Sequence, residues 1–261
     1  MTSLICFRLF ATMLAPLASA AAMSFTEFHL PVTETFDTLA PSGTSGLLPS
    51  GWSVLETGSG ANATYAAGTG SASTGNTYSF GAGGGTERAL GAVRSSSVAA
   101  VWGVRATNAT GAMLAGLDIA YVGEQWRLGA TGRVDRLDFA YSLDATALGN
   151  GTWIDVNELD FVAPVTSGTV GAMNGNAGAN RVGRSYTLGG LHLPPGAGLM
   201  LRWSDFDASG ADDGLAIDEV VLTARPVEQV PVPDGLPPGA GALVLAGVVA
   251  LGVAGGRKQG H

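Results

Sequence analysis

Apolar residues in this chain recur at every second position in short runs, a spacing that lines one face of a β-strand but scatters around a helix. Leu137, Phe139, Tyr141 and Leu143 share one such face, with Asp138 and Ser142 opposite. Leu199, Leu201 and Trp203 share another, with Arg202 and Ser204 turned away. The stretches Leu215–Ala224, Leu117–Val122 and Trp153–Val156 read the same way. Between residues 23 and 226 no long 3.6-residue apolar period competes with this pattern, and turn formers such as Gly149-Asn150-Gly151 and Pro194-Pro195-Gly196 separate the runs. Many short strands, each with one apolar face, predict two packed sheets, an all-β sandwich. Residues 41–86 are rich in Gly, Ser, Thr and Ala yet hold Trp52, Val54, Tyr65, Tyr78 and Phe80, so they read as thin strands and long loops of the same domain. No repeat of solenoid length is visible, which leaves one domain over residues 23–226.

Charge and cysteine narrow the function. That middle portion carries 19 acids against ten Arg, a balance of −9, and its cations are dispersed. Phosphate recognition needs clustered cations, so nucleic acid is excluded as a partner. The single cysteine, Cys6, falls within residues 1–22, which read as a cleaved export signal, so the body has no thiol for disulfides, thiolate-held metals or nucleophilic catalysis.

Both ends read as addresses. Residues 1–22 place Arg8 before an apolar stretch, Leu9–Ala18, and then small residues, the layout of a secretory signal peptide. At the other end, residues 227–261, a Pro-rich approach leads into Leu236–Ala254, 19 residues without a charge. As a helix these would cover roughly 28 Å, about the bilayer core. Arg257 and Lys258 follow and would remain cytoplasmic. The order Val230-Pro231-Val232-Pro233, one span and a basic end resembles a PEP-CTERM sorting signal of the Val-Pro-Leu-Pro variant. That resemblance implies an exosortase, a membrane-embedded transpeptidase-like enzyme, as the partner that removes the span. The alternative is a plain tail anchor that is never cut.

A second resemblance covers most of the middle. Gly123–Arg127 (GEQWR), Leu137–Ser142 (LDFAYS), Gly175–Arg181 (GNAGANR), Leu201–Ala224 and Glu34–Leu39 (ETFDTL) resemble a jelly-roll module of exported bacterial proteins, with Ala216-Ile217-Asp218-Glu219 in its last strand. The family label implies architecture and an exported setting but no catalytic role. It also implies a structural Ca²⁺ between an acidic N-terminal strand and the final strand, held here by Glu34, Asp37, Asp218 and Glu219.

The residues themselves point to a hard cation. Asp205, Asp207, Ser209, Asp212, Asp213 and Asp218 crowd into 14 positions, and hard cations take six to eight oxygens. Asp205–Gly210 begins like an EF-hand loop, but Ala216 stands where the bidentate Glu belongs, so an EF-hand is excluded. A solvated acidic turn is the alternative. Catalytic constellations fail. Glu158-Leu159-Asp160 starts a glycosidase-like acid pattern, yet Val162 and Ala163 occupy the place of the third acid. His29, His192 and His261 have no nucleophile elbow beside them. Trp126, between Gln125 and Arg127, is the candidate platform for stacking a sugar. The expectation is an exported, non-enzymatic surface or extracellular-matrix protein, membrane-anchored through its C-terminal helix before processing; the alternative is a carbohydrate-binding module for extracellular polysaccharide.

Overall fold

The structure is a computed structural model and describes residues 22–228. Residues 1–21, the Val230–Pro233 motif, the 236–254 span and Arg257-Lys258 lie outside the described residues. In chain order the strands are β1 (Met23–Phe25), β2 (Pro31–Glu34), β3 (Thr44–Ser45), β4 (Trp52–Thr57), β5 (Tyr65–Gly68), β6 (Asn76–Phe80), β7 (Ala89–Val93) and β8 (Ala99–Asn108). Then come β9 (Leu114–Leu128), β10 (Arg136–Ser142), β11 (Ile154–Asp155), β12 (Phe161–Val162), β13 (Gly171–Ala172), β14 (Arg181–Leu193), β15 (Gly198–Asp205) and β16 (Gly214–Pro226). A 3-10 turn over Asn157–Leu159 is the one helical element among the described residues.

The strands form two sheets. The first has the order β1-β8-β15-β10-β11, with β4 also on β8 and β12 also on β10. The second runs β13-β9-β16-β7-β6-β5-β3, with β14 also on β9 and β2 also on β16. The all-β sandwich expected from the period-two runs is therefore present. Pairing is antiparallel except for β1 with β8 and β5 with β6.

Between the sheets sits a core built from the inward member of each alternation. Leu137, Phe139, Leu199, Leu201 and Trp203 of the first sheet meet Leu117, Ile119, Tyr121, Leu215, Ile217 and Leu222 of the second, all at 2% exposure or less. Trp203 is the hub: Phe139 and Tyr121 meet it edge-on at 5.1 and 5.4 Å, and Trp52 stacks on it at 5.7 Å. At Gly123 only hydrogen fits in the core, since a Cβ there would lie 2.2 Å from the ring of Phe161.

Two strand expectations shrink on inspection. Leu143 lies past the end of β10 and is exposed, because the chain turns at Ser142, whose hydroxyl accepts from Ala145 N. The Trp153–Val156 run pairs only at Ile154 and Asp155, both exposed.

Candidate metal centre

Alternation places acids on the outer face of the second sheet. In β9 the odd positions Leu117, Ile119 and Tyr121 enter the core, so Val122, Glu124 and Trp126 turn outward. In β16, Leu215 and Ile217 face the core, and then the register against β9 shifts between Asp218 and Val221. Glu219 takes φ 51° there. This bulge changes the phase of the strand, so that Val220, Leu222 and Ala224 are the inward residues beyond it. Asp218 and Glu219 are thereby both left on the outer side. Because Ala216 is paired with Glu124 on one edge and with Gly91 on the other, Asp218 stands next to Glu124, and the loop between β6 and β7 supplies Glu87.

A carboxylate oxygen from each of Glu87, Glu124 and Asp218 lies within 4.8 Å of the other two. Among the described residues, this is the set of three acids that converges so closely. Glu124 is wholly buried and Asp218 is 4% exposed, whereas Glu87 is exposed. Oε2 of Glu124 accepts from Trp126 Nε1 at 2.9 Å, but Oε1 has no hydrogen-bond partner and its nearest cation is Arg181 Nε at 3.7 Å. Asp218 Oδ1 accepts from Glu219 N at 2.7 Å, and Glu87 Oε2 accepts from Asn176 Nδ2. Arg181 is shared, since its Nη2 pairs with Glu219 Oε2 at 3.1 Å. Burial, reinforced by Glu87 and Glu219, pushes Glu124 up to about 7 against the opposing effects of Trp126 and Arg181. Burial first, then Glu124, Glu87 and Glu219, pushes Asp218 up to about 8. Two buried carboxyls are thus held in a place that disfavours their charge.

The residues singled out from sequence fall in separate places. Glu34 Oε1 accepts from Phe36 N at 2.8 Å, and Asp37 Oδ1 accepts from Arg88 N at 3.3 Å. Of the four acids that the resemblance implied, only Asp218 belongs to the convergent trio. Asp207 is exposed and pairs with Arg94 Nε at 3.4 Å. Asp205 ends β15 at 2% exposure, and both of its carboxylate oxygens lack a hydrogen-bond partner. It faces Asp135, Asp212 and Asp213, and Arg133 pairs with Asp135 at 3.0 Å and Asp213 at 3.3 Å. Glu158 and Asp160 do not share a strand face: Glu158 is in the 3-10 turn, and Asp160 Oδ1 accepts from Phe139 N at 2.8 Å.

Trp126 requires a correction. It is 3% exposed, stacks on Phe80 at 6.0 Å and spends its N–H on Glu124. Gly175 lies so close over the indole that a Cβ there would be 2.3 Å from Nε1. Its polar neighbours Gln125 and Arg127 suggested exposure, but the segment carrying Gly175 covers it. It is not a sugar platform. Glu87 and Glu124 were missed from sequence because they are 37 residues apart, and only the β7–β16–β9 pairing unites them.

No protein-family model matches the chain, and no curated protein does. Among solved structures it is similar to the CBM22-1 xylan-binding domain from Paenibacillus barcinonensis, at 13% identity and TM-score 0.36, over 80% of this chain and all of that one. It is also similar to the K3 and K1 cleaved adhesin domains of Lys-gingipain from Porphyromonas gingivalis, both at TM-score 0.39. Their identities are 14% and 12%, over 67% and 75% of this chain and 93% and 99% of those domains. At these scores neither ligand nor role carries over.

Proposed function

We propose that this chain is an exported, non-enzymatic component of the cell surface or extracellular matrix, a jelly-roll-type sandwich delivered by a cleaved N-terminal signal and sorted by an exosortase acting on residues 227–261. The observation that carries the reading is where the sandwich begins and ends. Among the described residues the first strand opens at Met23 and the last closes at Pro226, so this folded body lies between the two address-like segments in sequence. Intact mass and C-terminal sequencing of the surface or medium form test it. A product ending near Pro233 supports sorting; a full-length membrane form that keeps Lys258 overturns it.

Binding of extracellular polysaccharide is a second reading, favoured by one observation. Trp52, Trp102, Trp126 and Trp203 are buried, whereas Trp153 is half-buried and lies over Arg202 at 4.0 Å. What remains exposed of this indole is the aromatic surface on which a sugar ring would stack. Saturable binding on a glycan array, lost in Trp153→Ala, supports this reading. No binding by the unaltered protein rejects it.

A further inference from the structure

We infer that Glu87, Glu124 and Asp218 form a binding site for one divalent hard cation of the Ca²⁺ class, which ties the β6–β7 loop to the central β9–β16 pair. The inference does not depend on export or sorting. It rests on the convergence of three carboxylates from separate elements and on a wholly buried Glu124 side chain, one oxygen of which has no hydrogen-bond partner within that cluster. Ligand chemistry selects the ion. An all-carboxylate set favours hard cations over Zn²⁺ or Cu²⁺, which take imidazole or thiolate, and among the described residues no His or Cys converges with these acids. Distance is compatible: ligands about 2.4 Å from a Ca²⁺ ion lie up to about 4.8 Å apart across it, and the three oxygens lie within that separation of one another.

Charge points the same way. Three carboxylates, with Glu219 as a fourth acid alongside, face a single guanidinium, that of Arg181. Arg88, next in sequence to Glu87, aims its guanidinium elsewhere, donating to Ser79 Oγ and to the carbonyls of Ala82, Gly68 and Ser79. A bound cation would neutralise the buried Glu124 and fix Glu87, whose carboxylate Asn176 already holds. With three carboxylates and a competing Arg181, affinity should lie in the range of extracellular modules, a Kd of about 10⁻⁴–10⁻³ M.

Calorimetric titration of the full-length protein with CaCl₂ at pH 7.5, beside thermal melting in CaCl₂ or EDTA, tests the site. One saturable ion and a melting temperature about 5 °C higher in calcium are expected. Asp218→Asn and Glu124→Gln should remain folded in EDTA, because each removes like-charge repulsion, yet lose the calcium-dependent rise. Exposed Glu87→Gln should weaken binding at least tenfold without altering the melt in EDTA. Equal melts in calcium and EDTA with no saturable heat would overturn the inference. So would a calcium response that survives all three substitutions, since the ion would then lie elsewhere, with Asp212→Asn locating it at the Asp205 cluster.

Discussion

Asp205 is the residue at which this sandwich works against itself. Its carboxylate is buried, has no hydrogen-bond donor and faces Asp135, Asp212 and Asp213, so its pKa stands well above the usual carboxylate range; burial is the main cause. Asp212 and Asp213 are pushed from 3.8 up to about 6, again chiefly by burial, with Asp135 adding to it. A raised folded-state pKa means the fold penalises the charged form, so stability declines as pH climbs from about 4 through about 6 and onward through the Asp205 transition. Thermal melting in EDTA should therefore show higher melting temperatures at pH 5 than at pH 7.5. Each pKa unit corresponds to about 1.4 kcal/mol, so across coupled groups the effect is on the order of a few kcal/mol, or several degrees. Asp118 and Asp144, whose pKa values are lowered, lose their contribution only below their ordinary 3.8 and do not enter this window. Asp205→Asn should lessen the slope, leaving the part due to Glu124 and Asp218, and match or exceed the unaltered protein at pH 7.5. A variant less stable at pH 7.5 but equal at pH 5 would mean that the charged form is compensated. The sequence showed that these aspartates are crowded, but not that Asp205 is buried, because Asp135 and Arg133 arrive from 70 residues away.

At the scale of an element, β16 shows what alternation conveys and where it stops. A strict period of two from Leu215 and Ile217 would drive Glu219 into the core and expel Val220, Leu222 and Ala224. The two apolar phases are out of step by one residue, which is the sequence mark of a bulge, and the structure places the bulge at Asp218–Val221. Deleting Glu219 removes the extra residue and puts Val220, Leu222 and Ala224 in step with Leu215 and Ile217, so every later side chain keeps its face. Such a chain should keep a cooperative melt. Glu219→Gly should keep the fold: it relieves a left-handed residue worth about 1 kcal/mol and gives up a half-exposed ion pair to Arg181, so a change within about 1 kcal/mol is expected. A deletion variant without a cooperative melt would show that the bulge itself, and not only the inward set, is needed to close the sheet. On β9, Gly123→Ala should cost about 1–3 kcal/mol in urea unfolding, since its Cβ meets the Phe161 ring in a filled core. Burial of Trp126 was not legible in the same way, because its cover comes from the loop holding Gly175, and loop paths leave no periodic trace.

For the whole molecule, the period-two runs identified strands and their inward faces, but strand order depends on pairings between distant segments that no local pattern encodes. The consequence is largest for β16. It is the last strand in sequence, yet it lies inside the second sheet, between β9 and β7, with β2 also on it. Without it, β9, β13 and β14 would be separated from β7, β6, β5 and β3, and the core would lose Leu215, Ile217, Val220, Leu222 and Ala224. Each larger buried aliphatic contributes about 1.5–3 kcal/mol, so the loss is comparable to the whole stability of an ordinary domain. A chain ending at Asp213 should therefore lack a cooperative transition in far-UV circular dichroism, and a chain ending at Pro226 should keep one. The sandwich then cannot close until its last strand has been made. A cooperative melt from the chain ending at Asp213 would show that the first fifteen strands suffice.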